Sequence, residues 1–315
     1  MSDLLTPHND PNPTVTQAPG PFGLENTAAY AKWRARKLTE FPRTPADITV
    51  ALDDLARPGE NQRHAITANC RAANMSIYAS QPEDRSASAI RGDLAAFASA
   101  FGLGPLEAHR SADEDGFVAL EVAEGGTKGG YIPYTNRPLS WHTDGYYNKA
   151  SESVRAMILH CVRDAAESGE NALLDPEIAY IRLRDENPEF VAALMHPEAM
   201  TIPANTEPDG TVRPASVGPV FSVEQAGGTL RMRYTARKRN IAWRDDPTTA
   251  AAVGFLERLL TGGDEPLVVN LRLAPGQGLI CNNVLHNRTG FRQRGDDGRG
   301  RLYYRGRYLN RIKGT

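Results

Sequence analysis

Apolar residues recur along this chain with two periods, and the stretches where each holds mark its elements. Alternation of apolar and polar positions sends every second side chain to one face of a strand. It marks residues 75–79, and further short strands are expected at 117–122, 220–223, 229–234, 267–273, 278–281 and 302–309. Residues 154–162 read as a buried strand and 172–174 as another. A helical repeat instead puts Tyr30, Trp33, Leu38 and Phe41 near one face, with Asn26 and Thr27 as caps and Pro42 as the stop. Another runs through Ile90, Leu94, Phe97 and Phe101 to Gly102. Asp175-Pro176 and Asn187-Pro188 each set a capping side chain before a proline suited to the first turn, and a further helix covers about 250–260. Residues 48–55 fit strand or helix, and Arg57-Pro58-Gly59 ends them.

Many short strands separated by turn residues, with helices mostly in the first half and in insertions, predict a mainly β fold with flanking helices. The predicted core is a double-stranded β-helix, or jelly roll, at about 75–310. Residues 1–22, rich in Pro and Asn and poor in large apolar groups, predict a flexible arm, leaving 23–315 as a single domain.

Composition narrows the function classes. The chain has 315 residues and a formal net charge of −2, with acids and bases intermixed, so the basic footprint of a nucleic-acid binder is absent and a small-molecule substrate is expected. No apolar run approaches the ~20 residues of a membrane span. The opening residues lack a secretory pattern, so the expected setting is the cytoplasm, with self-association left open. Cys70, Cys161 and Cys281 are odd in number and without paired spacing, which argues against a disulfide framework or a Cys-rich zinc site. The glycines at Gly125, Gly126, Gly129 and Gly130 lack the lysine and following helix of a phosphate-binding loop.

Candidate chemistry begins at Trp141-His142-Thr143-Asp144-Gly145, where an extended segment runs into a turn. Residues two apart on a strand share a face, so the His142 imidazole and the Asp144 carboxylate can converge on one ion. His286, in Asn282-Asn283-Val284-Leu285-His286, is the candidate third ligand. Two histidines and one carboxylate leave one face of an octahedral metal open, as in non-haem Fe(II) oxygenases. The competing reading is a hydrogen-bonded pair at a strand end; His8-Asn9-Asp10 shows the same spacing in a context without apolar pattern and reads as chance. Downstream, Arg301, Arg305 and Arg307 fall on one face of a strand-like run. Three guanidiniums on one face call for anions, and an arginine fork matches a carboxylate best. A salt-bridged edge strand would explain them equally well.

In their order these pieces resemble one family. Trp141-His142-Thr143-Asp144, Met157-Ile158-Leu159-His160-Cys161, Ser168-Gly169-Glu170-Asn171 ahead of Leu174-Asp175, Asn283-Val284-Leu285-His286, and finally Arg301 and Arg305 are similar to the TauD/TfdA (taurine dioxygenase / clavaminate synthase-like) group of Fe(II)- and 2-oxoglutarate-dependent dioxygenases. The match spans about 75–310, with features of the γ-butyrobetaine hydroxylase branch in the Leu-His-Cys run and the tyrosine pair. The resemblance implies that His142, Asp144 and His286 hold Fe(II), and that 2-oxoglutarate and O2 are co-substrates. It puts Arg305 on the distal carboxylate of 2-oxoglutarate and Arg301 near the carboxylate that chelates the metal, with Arg307 or Arg301 as the main anchor in an alternative register. Asn171 stands where the family usually has a threonine that bonds the co-substrate. The implied outcome is hydroxylation of an aliphatic carbon with release of succinate and CO2. Desaturation, cyclisation or C–N cleavage on the same cofactor chemistry, and a metal- or anion-binding barrel without turnover, are the alternatives. A carboxylate at position 144 disfavours halogenation.

Two groups of residues are candidates for substrate. Tyr131, Tyr134, Asn136, Tyr146 and Tyr147 flank the metal stretch and would form an aromatic wall suited to a quaternary ammonium group. Arg233, with Arg231, Arg237 and Arg239, would instead face a carboxylate or sulfonate. His160 alternates into a strand and reads as a core histidine, and His109 stays unassigned.

Overall fold

The computed structural model describes residues 20–82, 85–107, 116–123, 131–206, 210–224, 228–293 and 300–315. His8, Asp10, His109, Gly125, Gly126, Gly129 and Gly130 lie outside the described residues.

Ten strands build two sheets: β1 (Thr49–Ala51), β2 (Met75–Ala79), β3 (Val118–Leu120), β4 (Leu139–His142), β5 (Ala156–Arg163), β6 (Asn171–Leu174), β7 (Val269–Leu271), β8 (Gln277–Cys281), β9 (Leu285–Arg288) and β10 (Leu302–Tyr308). The larger runs β1-β2-β8-β5-β10-β3 and the smaller β7-β6-β9-β4. Only β1 and β2 pair in parallel; the remaining neighbours in these sheets are antiparallel. Among the described residues six α-helices accompany them: α1 (Thr27–Glu40), α2 (Glu60–Ala73), α3 (Ala87–Ala100), α4 (Pro176–Glu186), α5 (Pro188–Leu194) and α6 (Pro247–Thr261). The architecture is therefore a mixture of helix and strand, not mainly β as the sequence suggests.

The long strands alternate between two cores. Along β5, Met157 and Cys161 pack into a cluster fed by both sheets and by α4 and α6, while Ala156 and Ile158 enter a second one with α2 and α3. On β10, Tyr303 joins the first cluster and Leu302, Tyr304 and Tyr308 the second. Period-two geometry then sends Arg301, Arg305 and Arg307 to the Tyr303 side, where all three are buried.

Local chemistry fixes the helix ends. The Asp175 carboxylate caps α4 by accepting from the Glu177 N–H at 2.9 Å, and it also accepts from Asn74 at 3.0 Å and pairs with Lys37 at 2.6 Å, tying α1 to the sheet side of α4. Asn74 closes α2 in the left-handed conformation, φ 56°, which asparagine tolerates. The last residues of the expected arm, 20–22, pack against the fold. Gly20–Phe22 forms a 3-10 turn, Phe22 is buried with its ring 5.0 Å from Trp33, and Arg184 donates to the carbonyls of Pro21, Gly23 and Leu24.

Candidate metal centre

Adjacent strands of the smaller sheet bring the distant ligand candidates together. His142 ends β4, His286 is the second residue of β9, and the antiparallel register sets them opposite each other. Their ring centroids lie 4.2 Å apart. The chain stays extended past His142, held by the Thr143 N–H to the Tyr234 carbonyl at 3.0 Å, so Asp144 returns to the same side. His142 Nε2 is 3.8 Å from Asp144 Oδ1, and one ligand atom from each of the three residues falls within 4.8 Å of the others.

Each imidazole is oriented by its own strand. His142 Nδ1 donates to the Ser140 carbonyl and His286 Nδ1 to the Val284 carbonyl, both at 2.9 Å. A carbonyl can only accept, so the proton sits on Nδ1 and the Nε2 lone pair is left for an ion. Burial, reinforced by the neighbouring His286, pulls His142 down to about 3 and keeps it neutral. His286 is lowered by burial as well. Burial would raise Asp144, but the Arg305 and Arg307 guanidiniums outweigh it and hold the carboxyl below the usual range.

Asn283 anchors the Asp144 turn, a role that sequence reading does not assign. Its Oδ1 accepts from the Asp144 N–H at 2.8 Å, and its Nδ2 donates to the carbonyls of Asp144 at 3.0 Å and Val154 at 2.9 Å. It has φ 52°, a conformation asparagine adopts more readily than most residues. Gly145 follows with φ 67°; a Cβ there would lie 2.6 Å from the Val154 side chain.

The donor set fits a divalent metal. Asp144 Oδ2 is buried without a hydrogen-bond partner, and two imidazoles and one carboxylate give the two-nitrogen, one-oxygen set that suits non-haem iron.

The arginines on β10 differ from one another. Arg305 Nη1 donates to Asp144 Oδ1 at 3.2 Å, beside the triad. Arg307 Nη1 lies 3.9 Å from the same oxygen, donates to the Tyr147 hydroxyl at 3.2 Å, and pairs with Glu107 through Nη2. Among the described residues Arg301 forms no ion pair with a carboxylate: it lies over the Tyr303 ring at 3.8 Å and the Phe291 ring at 5.0 Å, with a buried, unbonded Nε. Asn171, at the start of β6, donates to the Asn287 carbonyl at 3.2 Å, next to His286.

The remaining candidates divide. Tyr146 lies near the metal site, its ring 6.3 Å from that of His142, and Tyr147 reaches it through Arg307. Tyr134 is buried in the core, while Tyr131 and Asn136 are exposed. Arg233 is engaged by the backbone. It donates to the carbonyls of Tyr146, Met200, Gly218 and Ser216, a latch between backbone segments. His160 sits in the core against the Tyr78 hydroxyl at 3.2 Å, as its alternation suggests. Glu107 was also missed, since nothing in its local sequence signals a buried partner for Arg307.

The fold and this site define the class, and a family comparison agrees: residues 88–308, more than half of the chain, match the taurine catabolism dioxygenase TauD, TfdA family, to which the chain belongs. A curated relative, the uridine-5'-phosphate dioxygenase of Amycolatopsis sp, is 33% identical over 163 residues, 50% of this chain and 56% of the relative. The chain thus spans about half the length of that relative. Among solved structures, asparagine oxygenase in complex with Fe(II), 2S,3S-3-hydroxyasparagine and succinate aligns with a TM-score of 0.56 at 15% identity, covering 83% of this chain and 93% of the other. The non-heme iron oxygenase OrfP in complex with Fe and alpha-ketoglutaric acid aligns with a TM-score of 0.57 at 15% identity, covering 81% of each. At these identities the likeness speaks for the fold.

Proposed function

We propose that the protein is an Fe(II)- and 2-oxoglutarate-dependent dioxygenase that hydroxylates an aliphatic carbon of a small anionic molecule, working from a jelly-roll core formed by the two sheets. What carries the reading is the convergence of His142, Asp144 and His286, one ligand atom from each within 4.8 Å of the others. Bound there, iron with 2-oxoglutarate and O2 would supply oxidative decarboxylation to succinate and CO2, one oxygen atom of O2 entering succinate and the other the oxidised C–H bond.

The chain's own residues bind and orient. His142, Asp144 and His286 hold the metal, with Asn283 fixing the Asp144 turn and the Ser140 and Val284 carbonyls fixing the rings. The arginine order expected from the resemblance is better reversed. Arg305 touches Asp144 itself, which suits an anion beside the metal, whereas Arg301, about 13 Å along the strand, offers a buried guanidinium that is ion-paired to no carboxylate among the described residues. Arg301 therefore takes the distal carboxylate of 2-oxoglutarate, with Asn171 approaching from β6. Arg305 and the Tyr147 hydroxyl then receive the anionic group of the primary substrate, and Tyr146 walls the approach. The name of the curated relative, a dioxygenase of uridine 5'-phosphate, supports a substrate with an anionic group. A cytoplasmic setting suits three buried, unpaired cysteines.

Succinate release tests the reading. The iron-loaded protein is assayed across nucleoside monophosphates, sulfonates, amino acids, betaines and aryloxy acids, after anaerobic Fe(II) and 2-oxoglutarate have been checked for a visible charge-transfer band. Turnover with one class and loss of iron retention in His142→Ala or His286→Ala are expected. A protein that forms the band but releases no succinate with any class would be a binding barrel instead.

A further inference from the structure

We propose that Glu107 is a positioning residue for the metal site: it cancels the charge of Arg307, so that this guanidinium can hold Tyr147 beside Asp144 without repelling a cation bound there. The inference deepens the metal-site reading above and rests on it. Glu107 itself supplies no ligand atom to the triad.

Four buried groups of alternating charge run past the triad. Glu107 is 8% exposed and Arg307 4%. Glu107 pairs through Oε2 with Arg307 Nη2, and its N–H donates to the Arg307 carbonyl at 2.8 Å, docking its segment onto β10. Arg307 Nη1 in turn stands 3.9 Å from Asp144 Oδ1, the oxygen that Arg305 Nη1 reaches at 3.2 Å. The His142 imidazole is neutral, and burial lowers His286 in the same sense. Two carboxylates therefore balance two guanidiniums around the ligand set. Among the described residues no further carboxylate is ion-paired with Arg305 or Arg307.

Without Glu107 the balance tips. A divalent cation gains from Asp144 and loses from each unanswered guanidinium near it, and charges in a buried site are poorly screened. Arg305 is answered by Asp144 and by the substrate anion proposed above. Arg307 has a different duty: it donates to the Tyr147 hydroxyl at 3.2 Å, and the Tyr147 ring lies 5.2 Å from that of Tyr146, so it props the wall of the approach. The second oxygen of Glu107 serves the same wall, since Oε1 accepts from Asn148 Nδ2 in the loop that follows Asp144. Stability alone gives little reason for this arrangement, because a buried ion pair contributes little beyond apolar residues of similar volume.

Anaerobic Fe(II) titration at pH 8, without 2-oxoglutarate or substrate, tests the proposal, since it reads the metal site independently of turnover. Glu107→Gln keeps the shape and the acceptor for Asn148 but removes the charge, and is expected to weaken Fe(II) binding on the order of tenfold. Arg307→Gln removes the opposite charge and is expected to bind Fe(II) at least as tightly as the native protein. The two substitutions together restore the balance and should return the affinity to within about threefold of native. A merely structural pair would instead weaken binding in both single variants and further in the double. If circular dichroism shows one single variant unfolded, the other and the double still give the sign. Native affinity in Glu107→Gln, comparable weakening in Arg307→Gln, or no recovery in the double variant would each overturn the proposal while leaving the metal site in place. A native protein that takes up no Fe(II) would overturn the metal-site reading and this inference with it.

Discussion

Replacing Asn283 by alanine should weaken iron binding without unfolding the protein. The substitution removes three hydrogen bonds, to the Asp144 N–H, the Asp144 carbonyl and the Val154 carbonyl, in a residue 7% exposed. At about 1 kcal/mol each, with more for a buried donor left unmade, the loss is roughly 3–4 kcal/mol. Alanine in the left-handed conformation adds about 1 kcal/mol. Much of this falls on the whole fold, but the turn carrying Asp144 loses its fastening. If about half reaches the site, metal affinity drops on the order of 30-fold, within the range seen when groups behind metal ligands are removed. Anaerobic Fe(II) titration gives the dissociation constant, and circular dichroism shows whether the chain stays folded. Asn283→Asp, which keeps an acceptor for the Asp144 N–H but loses the donor, is expected to lie between the two. A folded Asn283→Ala protein that binds Fe(II) as tightly as the native one would refute the assignment of Asn283 as the fastening of the site.

Arg301→Gln should raise the KM for 2-oxoglutarate at least about tenfold while iron is retained, whereas Arg305→Gln should act mainly on the primary substrate; the opposite split in steady-state kinetics would restore the order implied by the family resemblance. Arg233→Ala should cost about 2–4 kcal/mol in urea denaturation, because four backbone carbonyls lose a charged donor, and an effect on substrate KM without a stability loss would contradict the latch. Burial lowers His160 to about 4, below the ordinary 6.5, so the unfolded chain takes up its proton first. Stability from that histidine is therefore fully present above pH 6.5 and lost as pH falls toward 4, by up to roughly 3 kcal/mol; denaturation at pH 7 and 4.5 should show a shallower acid loss in His160→Gln.

Much of the metal site was legible because its logic is periodic. A two-residue spacing on a strand fixes a shared face, so His142 with Asp144, and Arg301 with Arg305 and Arg307, could be grouped before any coordinates. What spacing cannot give is which partner each side chain finds. Arg305 meets Asp144 while Arg301 lies over two aromatic rings, a difference set by how β10 lies against the smaller sheet. That Arg233 donates to four backbone carbonyls is equally invisible, because carbonyls from different segments do not announce themselves in sequence. Helix α2 escaped notice for another reason: of its fourteen residues only Ile66, Cys70 and Ala73 are buried, too sparse a stripe to stand out. The balance of helix and strand was misjudged for the same cause.

The pairing of β4 with β9 also dictates when the site can come into being. The side chain that fastens Asp144 lies 139 positions downstream of it. A nascent chain leaving the ribosome therefore exposes one histidine and one carboxylate long before the second imidazole has been made. Half-synthesised product has no closed ligand set, and iron can settle only after nearly the whole polypeptide has emerged and its late strand has slotted in beside the early one.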